Sequence, residues 1–425
     1  ELPYGEATVE AELRRGRLLG TVEVAGAPAL PDPAATLRQA LEQPIGLDTP
    51  CLDGFAPDEP VAILVSDAFR HTGVAQLLPE LVDALRRRGV QKDRLSFVFA
   101  TGSHRAPTER EQARILGPEI HARFRHQTFV HHPHDRDNLA LLGETARGTP
   151  VYINRRVAEA AHVIATGAVV LHYFAGFGGG RKSLVPGVAG IDTIAANHAR
   201  NLHPTENALN PAVRIGVLDG NPVAEDMLEA ARLLPPDFIV NTVLNRQGAI
   251  AGLFAGELDA AHRAAAAFAR KLFLAPIAER ADLVVASAGT ARNFVQSHKA
   301  LFNAFQAMRP GGRIVFAARA PEGYGGNRFA EWIGLGTRAA IIAELRKHAE
   351  INGQTALSTL EKAASAVMLT ELSPGEVRAL GARKAETLQH ALDLALDELC
   401  GQGIDTPSCL VLPAAAYTVP ACADA

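Results

Sequence analysis

Short apolar runs rich in Val, Ile, Leu and Phe recur along the chain, with helical patterns between them. The runs are Val61–Asp67, Arg94–Ala100, His162–Val170, Phe238–Leu244, Asp282–Ala288, Arg313–Arg319, Ala366–Leu372 and Cys409–Ala415. They lack polar alternation, which is the pattern of strands buried on both faces. Leu77, Leu78, Leu81, Val82 and Leu85 follow helical spacing, and Gly89 suits the residue that closes such a helix. Strand–helix alternation predicts an α/β fold with largely parallel sheets flanked by helices. A chain of 425 residues exceeds one ordinary core. Two domains are therefore expected, with the active site in the cleft between them, and RKLFLAPIAERAD (270–282) reads as the seam. The expected division is an N-terminal cofactor-binding and catalytic domain over 1–272 and a C-terminal α/β domain over 276–412 contributing substrate-binding residues. Residues 414–425 are expected to cross back to the first domain.

Composition narrows the function classes. The hydrophobic fraction of 48% supports packed cores rather than disorder. A formal charge of -4 gives no electrostatic reason to expect nucleic acid. Cys51, Cys400, Cys409 and Cys422 are scattered, which argues against a thiolate metal site or a disulfide framework and suits a reducing cytoplasm. No apolar run approaches a membrane span, and the opening ELPYGEATVEAEL has no secretory-signal pattern.

Parallel sheets bind ligands beyond the carboxyl ends of their strands. Four such ends carry charged or titratable groups. Asp67 and Arg70 follow the first run, His104 the second, His172 and a glycine loop the third, and Gln296 and Lys299 the fifth. The loop, LHYFAGFGGGRKSLVPG (171–187), has glycines at 176, 178, 179 and 180, then Arg181, Lys182 and Ser183. Its place after a strand suits an anion or cofactor cradled on backbone N–H groups. A nucleotide-hydrolase P-loop needs Gly-Lys-Ser/Thr, whereas Arg181 intervenes here and Pro186 interrupts any long helix. Lys182 also suits covalent attachment, since a shielded amine loses its proton readily. His104 and His172 fit a reaction that removes and returns a proton near neutrality. His198 offers too few ligands for a metal by itself, unless another group supplies the rest. The cluster His131-His132-Pro133-His134 reads as loop packing, with adventitious metal binding as the lesser reading. Arg70 offers a planar fork for a carboxylate, and Gln296 and Lys299 share one side of a helix start.

The stretch HYFAGFGGGRKSLVPGVAGIDTIAANH (172–198) closely resembles the signature of the lactate racemase family, the nickel-pincer nucleotide enzymes. VSDAFR, TGSHRAPTERE, LDGNPVAEDM, QSHKAL and PEGYGGNRF extend the resemblance over most of the chain. It implies a pyridinium mononucleotide joined through a thioamide to Lys182, with two sulfurs and a ring carbon holding nickel. His198 would complete the metal's coordination. His104 and His172 would be the acid/base pair, exchanging the 2-hydroxyl proton while hydride passes reversibly from C2 to the cofactor through a planar 2-keto acid. Arg70, Gln296 and Lys299 would hold the substrate, and Asp67 would lie near the cofactor or orient Arg70. Gly176, Gly178, Gly179, Gly180, Arg181 and Ser183 would bind the cofactor, with the glycine backbone at its phosphate. The implied function is racemisation or epimerisation of a 2-hydroxy acid, lactate or another short-chain acid. Cofactor-biosynthesis proteins would be transient partners, and a host lacking that pathway would give the chain without cofactor.

Three departures bear on the substrate. His71 stands where the family's proline follows the arginine, the loop TARNFV (290–295) is short, and Val295 replaces a common aromatic. Val295 would leave room for a larger substrate tail, and His71 would be placed to bond a polar one. The alternatives are a gluconate-like sugar-acid 2-epimerase with the same cofactor, a divergent P-loop nucleotide hydrolase, or a non-catalytic binding protein. The lack of a downstream Walker-B aspartate counts against the hydrolase. The set His104, His172, Lys182 and His198 counts against the pure binder.

Overall fold

The apolar runs of the sequence fold as strands of two six-stranded sheets. A computed structural model describes residues 1–24 and 26–422, with no side chain described at 327. In chain order the sheet strands are β1 (Arg17–Thr21), β2 (Val61–Ser66), β3 (Leu95–Ala100), β4 (Thr128–Val130), β5 (His162–Ala168), β6 (Phe238–Leu244) and β7 (Ile250–Gly256). They continue as β8 (Ala281–Ser287), β9 (Met308–Ala317), β10 (Ala366–Leu369), β11 (Arg383–Ala385) and β12 (Ser408–Leu412). Five helices matter below: α1 (Leu78–Arg87), α2 (Ile191–Ala199), α3 (Pro222–Arg232), α4 (Leu258–Phe273) and α5 (Phe294–Ala307).

The described residues divide into two compact units. One comprises 26–204 and 209–272, and its sheet runs β7-β6-β5-β2-β3-β4. All pairs are parallel except β6 with β7. Val61, Ile63 and Val65 of β2 point to one face and join Leu78, Leu81, Val82 and Leu85 of α1 in a buried cluster. That is the helical stripe read from the sequence, meeting the period of two of a strand. The chain leaves β2 for β3 and β4 on one side and returns to place β5 on the other. The crevice beyond β2 and β5 is therefore a topological switch point, where open α/β sheets bind ligands.

The other unit comprises 1–24, 205–208 and 273–422. Its sheet runs β11-β10-β9-β8-β12-β1 and is parallel throughout. Both chain ends differ here from the sequence-based division. The first residues sit with the C-terminal half because β1 adds to β12, from Arg17 beside Ser408 to Thr21 beside Val411. The segment Val419–Cys422 pairs with Leu274–Ile277 inside the same unit, and residues 423–425 lie outside the described residues. No helix of the described residues is long and apolar enough to cross a membrane.

Candidate active site

The turn after β2 is organised by Asp67, whose side chain is fully buried. Its Oδ1 accepts the Phe69 N–H at 2.9 Å. Its Oδ2 accepts the Nδ1–H of His104 at 2.7 Å and pairs with the Arg70 guanidinium. A carboxylate only accepts, so Nδ1 of His104 carries a proton and a neutral ring keeps its lone pair on Nε2. Burial alone would raise the Asp67 carboxyl. The His104 hydrogen bond, the charges of Arg70 and His104 and the Phe69 N–H outweigh it and hold Asp67 below the usual carboxylate value. Asp67 is thus the ionised pivot that fixes both Arg70 and His104.

His104 is reached from β3 through a supported loop. Gly102 donates its N–H to the Gly187 carbonyl at 2.9 Å, tying this loop to the end of the glycine loop. Thr101 Oγ1 donates to the His131 carbonyl at 2.7 Å. His131 itself is buried, its Nε2 2.9 Å from the Ala189 carbonyl, and burial pushes its imidazole down to about 4. It packs the loop from behind, while His132 and His134 are exposed. No group of three or more His, Cys, Asp or Glu able to hold a metal occurs among the described residues.

Beyond β5 the chain forms a two-residue hairpin, Leu171–His172 with Gly176–Phe177, then a tight turn over Gly180–Ser183. Lys182 lies in that turn, mostly buried, with Nζ 3.0 Å from Nε2 of His172. The Phe174 ring links three groups. It lies edge-on to His172 at 4.5 Å and to His198 at 4.9 Å, and 5.0 Å from Nζ of Lys182. His198 reaches this point from α2. Its burial, then the charge of Lys182, push its imidazole down to about 3, and the charge of His104 adds to this. A neutral imidazole is the form that ligates metals.

The structure brings Asp67, Arg70 and His104 together, and His172, Lys182 and His198 together. Gln296 and Lys299 belong to the other unit, one turn apart at the start of α5, where Asn293 caps the helix and Gln296 Oε1 accepts the Arg292 N–H. Several residues expected at the cofactor also make contacts within the protein. Arg181 is buried, with Nη2 2.7 Å from Asp259 Oδ1 and Nη1 3.2 Å from the Ala224 carbonyl, so its guanidinium joins α3 to α4. Ser183 Oγ donates to the Thr166 carbonyl at 3.0 Å. The N–H of Gly178 goes to the Val170 carbonyl and that of Gly180 to Asn241 Oδ1. At Gly180 and Gly176 the protein itself already fills the space a side chain would need. A Cβ on Gly180 would stand 2.5 Å from the His262 ring, and one on Gly176 2.1 Å from the Val217 carbonyl.

His262 of α4 was not singled out in the sequence. Its Nε2 donates to the Gly178 carbonyl at 2.9 Å and its Nδ1 lies 3.2 Å from the Arg181 guanidinium. Burial, then the Arg181 charge, push it down to about 3, so it is a neutral brace under the loop. Asp226 of α3 is a second such residue. Fully buried, it accepts from Thr145, Thr149 and Asn197, the neighbour of His198, and so anchors α2. Neither a lone histidine in an alanine-rich helix nor one aspartate in LDGNPVAEDM signals its partners.

Residues 4–209 match the family described as the lactate racemase N-terminal domain. The chain is 32% identical over 338 residues to the lactate racemase of Thermoanaerobacterium thermosaccharolyticum, covering 78% of this chain and 77% of that one. It is also 32% identical over 337 residues to the lactate racemase of Lactiplantibacillus plantarum, covering 77% and 76%. Among solved structures, the lactate racemase apoprotein from Thermoanaerobacterium thermosaccharolyticum superposes with a TM-score of 0.86 at 27% identity over 99% of both chains. A Thermotoga maritima protein shares the fold, with a TM-score of 0.64 at 16% identity over 92% of this chain and 99% of that one.

Proposed function

This chain belongs to the lactate racemase family and is an isomerase of the racemase type, and on that premise we propose that it inverts C2 of short 2-hydroxy acids, lactate among them. We also propose that it uses a nickel-pincer nucleotide held covalently on Lys182 and through nickel by His198. When bound, that group supplies the acceptor and donor of hydride for substrate C2. The donor set fits it: a mostly buried amine, a neutral buried imidazole sixteen residues on, and the Phe174 ring against both.

The remaining work falls to the chain's own side chains. Asp67 keeps the His104 proton on Nδ1, which leaves Nε2 to take the 2-hydroxyl proton. His172 is the second carrier, returning a proton to the oxygen when the opposite enantiomer forms. Arg70 meets Asp67 through Nη1, leaving Nε and Nη2 for the substrate carboxylate. Gln296 and Lys299 are proposed as further ligands of the substrate's oxygens.

The observation that carries the reading is the 3.0 Å contact between Lys182 Nζ and His172 Nε2 beside the buried His198. The test is mass spectrometry of the chain made in a host with the cofactor pathway. A large adduct is expected on the Lys182 peptide and none in Lys182→Ala. Unmodified Lys182 in protein that still racemises would overturn covalent attachment. Deuterium placed at C2 should stay in the product, and wash-out to solvent would point to carbanion chemistry instead.

A further inference from the structure

Phe69 is 58% exposed although it lies next to the buried pivot Asp67. Its position is fixed on several sides. Its N–H is held by Asp67 Oδ1, and the carbonyl of Ala68 before it accepts from Arg114 at 2.9 Å. Its ring meets the His104 imidazole edge-on at 5.1 Å, and the Arg105 guanidinium lies over it at 5.1 Å. Arg105 is in turn clamped by two 2.7 Å bonds to Glu111, the residue that closes the capping box of the helix Glu109–Leu116. A phenyl ring held rigid in water, on the turn that carries Arg70, contributes nothing to a core. Pre-organised apolar surface of this kind serves recognition, because little freedom is lost on binding. Val170, 44% exposed two residues before His172, adds apolar surface at the neighbouring strand end. His71 does not offer its Nε2 to a polar tail, since that atom lies 3.0 Å from the Gly248 carbonyl.

We propose that Phe69 is a specificity-determining residue, the wall against which the substituent on C2 of the substrate packs. The preferred substrates are then 2-hydroxy acids with an aryl or branched apolar tail rather than lactate. This rests on the reading of the chain as a 2-hydroxy acid racemase. An aryl tail can meet Phe69 offset or edge-on, while lactate's methyl group is too small to cover the ring.

The test uses the full chain loaded with cofactor, single enantiomers of lactate, 2-hydroxyisovalerate and phenyllactate, and chiral chromatography. Wild type should show a higher kcat/KM for phenyllactate than for lactate. Phe69→Ala should lower that ratio about tenfold, mainly through KM, as expected for one lost aromatic contact. Phe69→Leu should keep part of the preference. Leu141→Ala removes an equally exposed apolar side chain, on the strand Leu139–Glu144, and should leave the ratio unchanged. Equal losses on both substrates in Phe69→Ala, or a wild-type preference for lactate, would overturn the assignment. Turnover of no acid in the panel would overturn the parent reading and this one with it.

Discussion

Replacing Asp67 by asparagine removes one charge and forces a choice between two faults. The carboxylate serves donors on both oxygens: the Phe69 N–H on Oδ1, and the His104 Nδ1–H with Arg70 on Oδ2. If the amide oxygen stays with Phe69, the new NH2 faces Arg70 and His104. The His104 proton must then move to Nε2, where it would block the proposed uptake of the substrate proton. If the amide turns over, His104 keeps its tautomer but the NH2 meets the Phe69 N–H, donor against donor, at a fully buried position. Leaving such a group unsatisfied costs about 1–3 kcal/mol. Loss of a correctly protonated general base costs about 10²–10⁴-fold in rate. Because its folded-state pKa is lowered, Asp67 contributes its stability above the ordinary carboxylate range and loses it only as pH falls through the lowered value, so the whole effect is present at neutrality. Asp67→Asn should therefore lower kcat at least about a hundredfold at neutral pH, by chiral assay of loaded enzyme. Its melting temperature should fall by about 2–12 °C. A kcat within about threefold of wild type, in protein that folds, would refute the role given to the Asp67–His104 hydrogen bond, since it falls far short of the expected loss.

Two further outcomes follow from buried and half-buried charges. Arg181→Ala removes the guanidinium that joins α3 to α4, while Asp259 keeps Arg263 at 2.8 Å, so the cofactor-free chain should lose about 1–3 kcal/mol in urea unfolding from the lost charged hydrogen bonds. If stability were unchanged and only cofactor retention fell, the guanidinium would serve the nucleotide instead. His162 lies between Asp237 and Glu59, each at 2.8 Å; burial lowers its pKa, but the two carboxylates outweigh this and raise it. A raised histidine contributes stability that is complete below its ordinary value of about 6.5 and is lost as pH rises through the folded value. The urea midpoint should thus fall as pH rises above that point in wild type but not in His162→Gln, and a flat wild-type curve would contradict the raised pKa.

Strands buried on both faces were legible because β-branched runs have few other uses, and the helical stripe of α1 was legible for the same reason. Two of the strands that escaped show why: one has a distant partner, the other small side chains. β1 (RLLGT) is short, half exposed and paired with β12 almost 400 residues later, and nothing local marks it. β7 (IAGLFAG) contains glycines because Phe254, Phe268 and the Ile45 backbone leave no space for a Cβ at 252 and 256. β9 is legible in the sequence only from Arg313 onward; its first half runs through Pro310-Gly311-Gly312, a sequence that reads as a turn, and the register shifts there instead.

The glycine loop shows what a motif can and cannot say about the surroundings of its residues. A cluster of glycines reports close approach of something to the backbone, and cannot report what. Here the approaching atoms are the Val217 carbonyl and the His262 ring, and the loop's amides at 178 and 180 are already bonded within the protein. Arg181 and Ser183 flank Lys182 but are turned inward to Asp259 and the Thr166 carbonyl. Each such inward contact removes a freedom from the turn, and together they fix the backbone on both sides of Lys182. The amine is the one polar group of Arg181-Lys182-Ser183 that faces His172 and the Phe174 ring. The glycines and their neighbours thus position Lys182 through the backbone, setting one amine against one imidazole. Loosening that brace, at His262 or Asp259, should therefore blur the position of Lys182 without removing any group that touches a substrate.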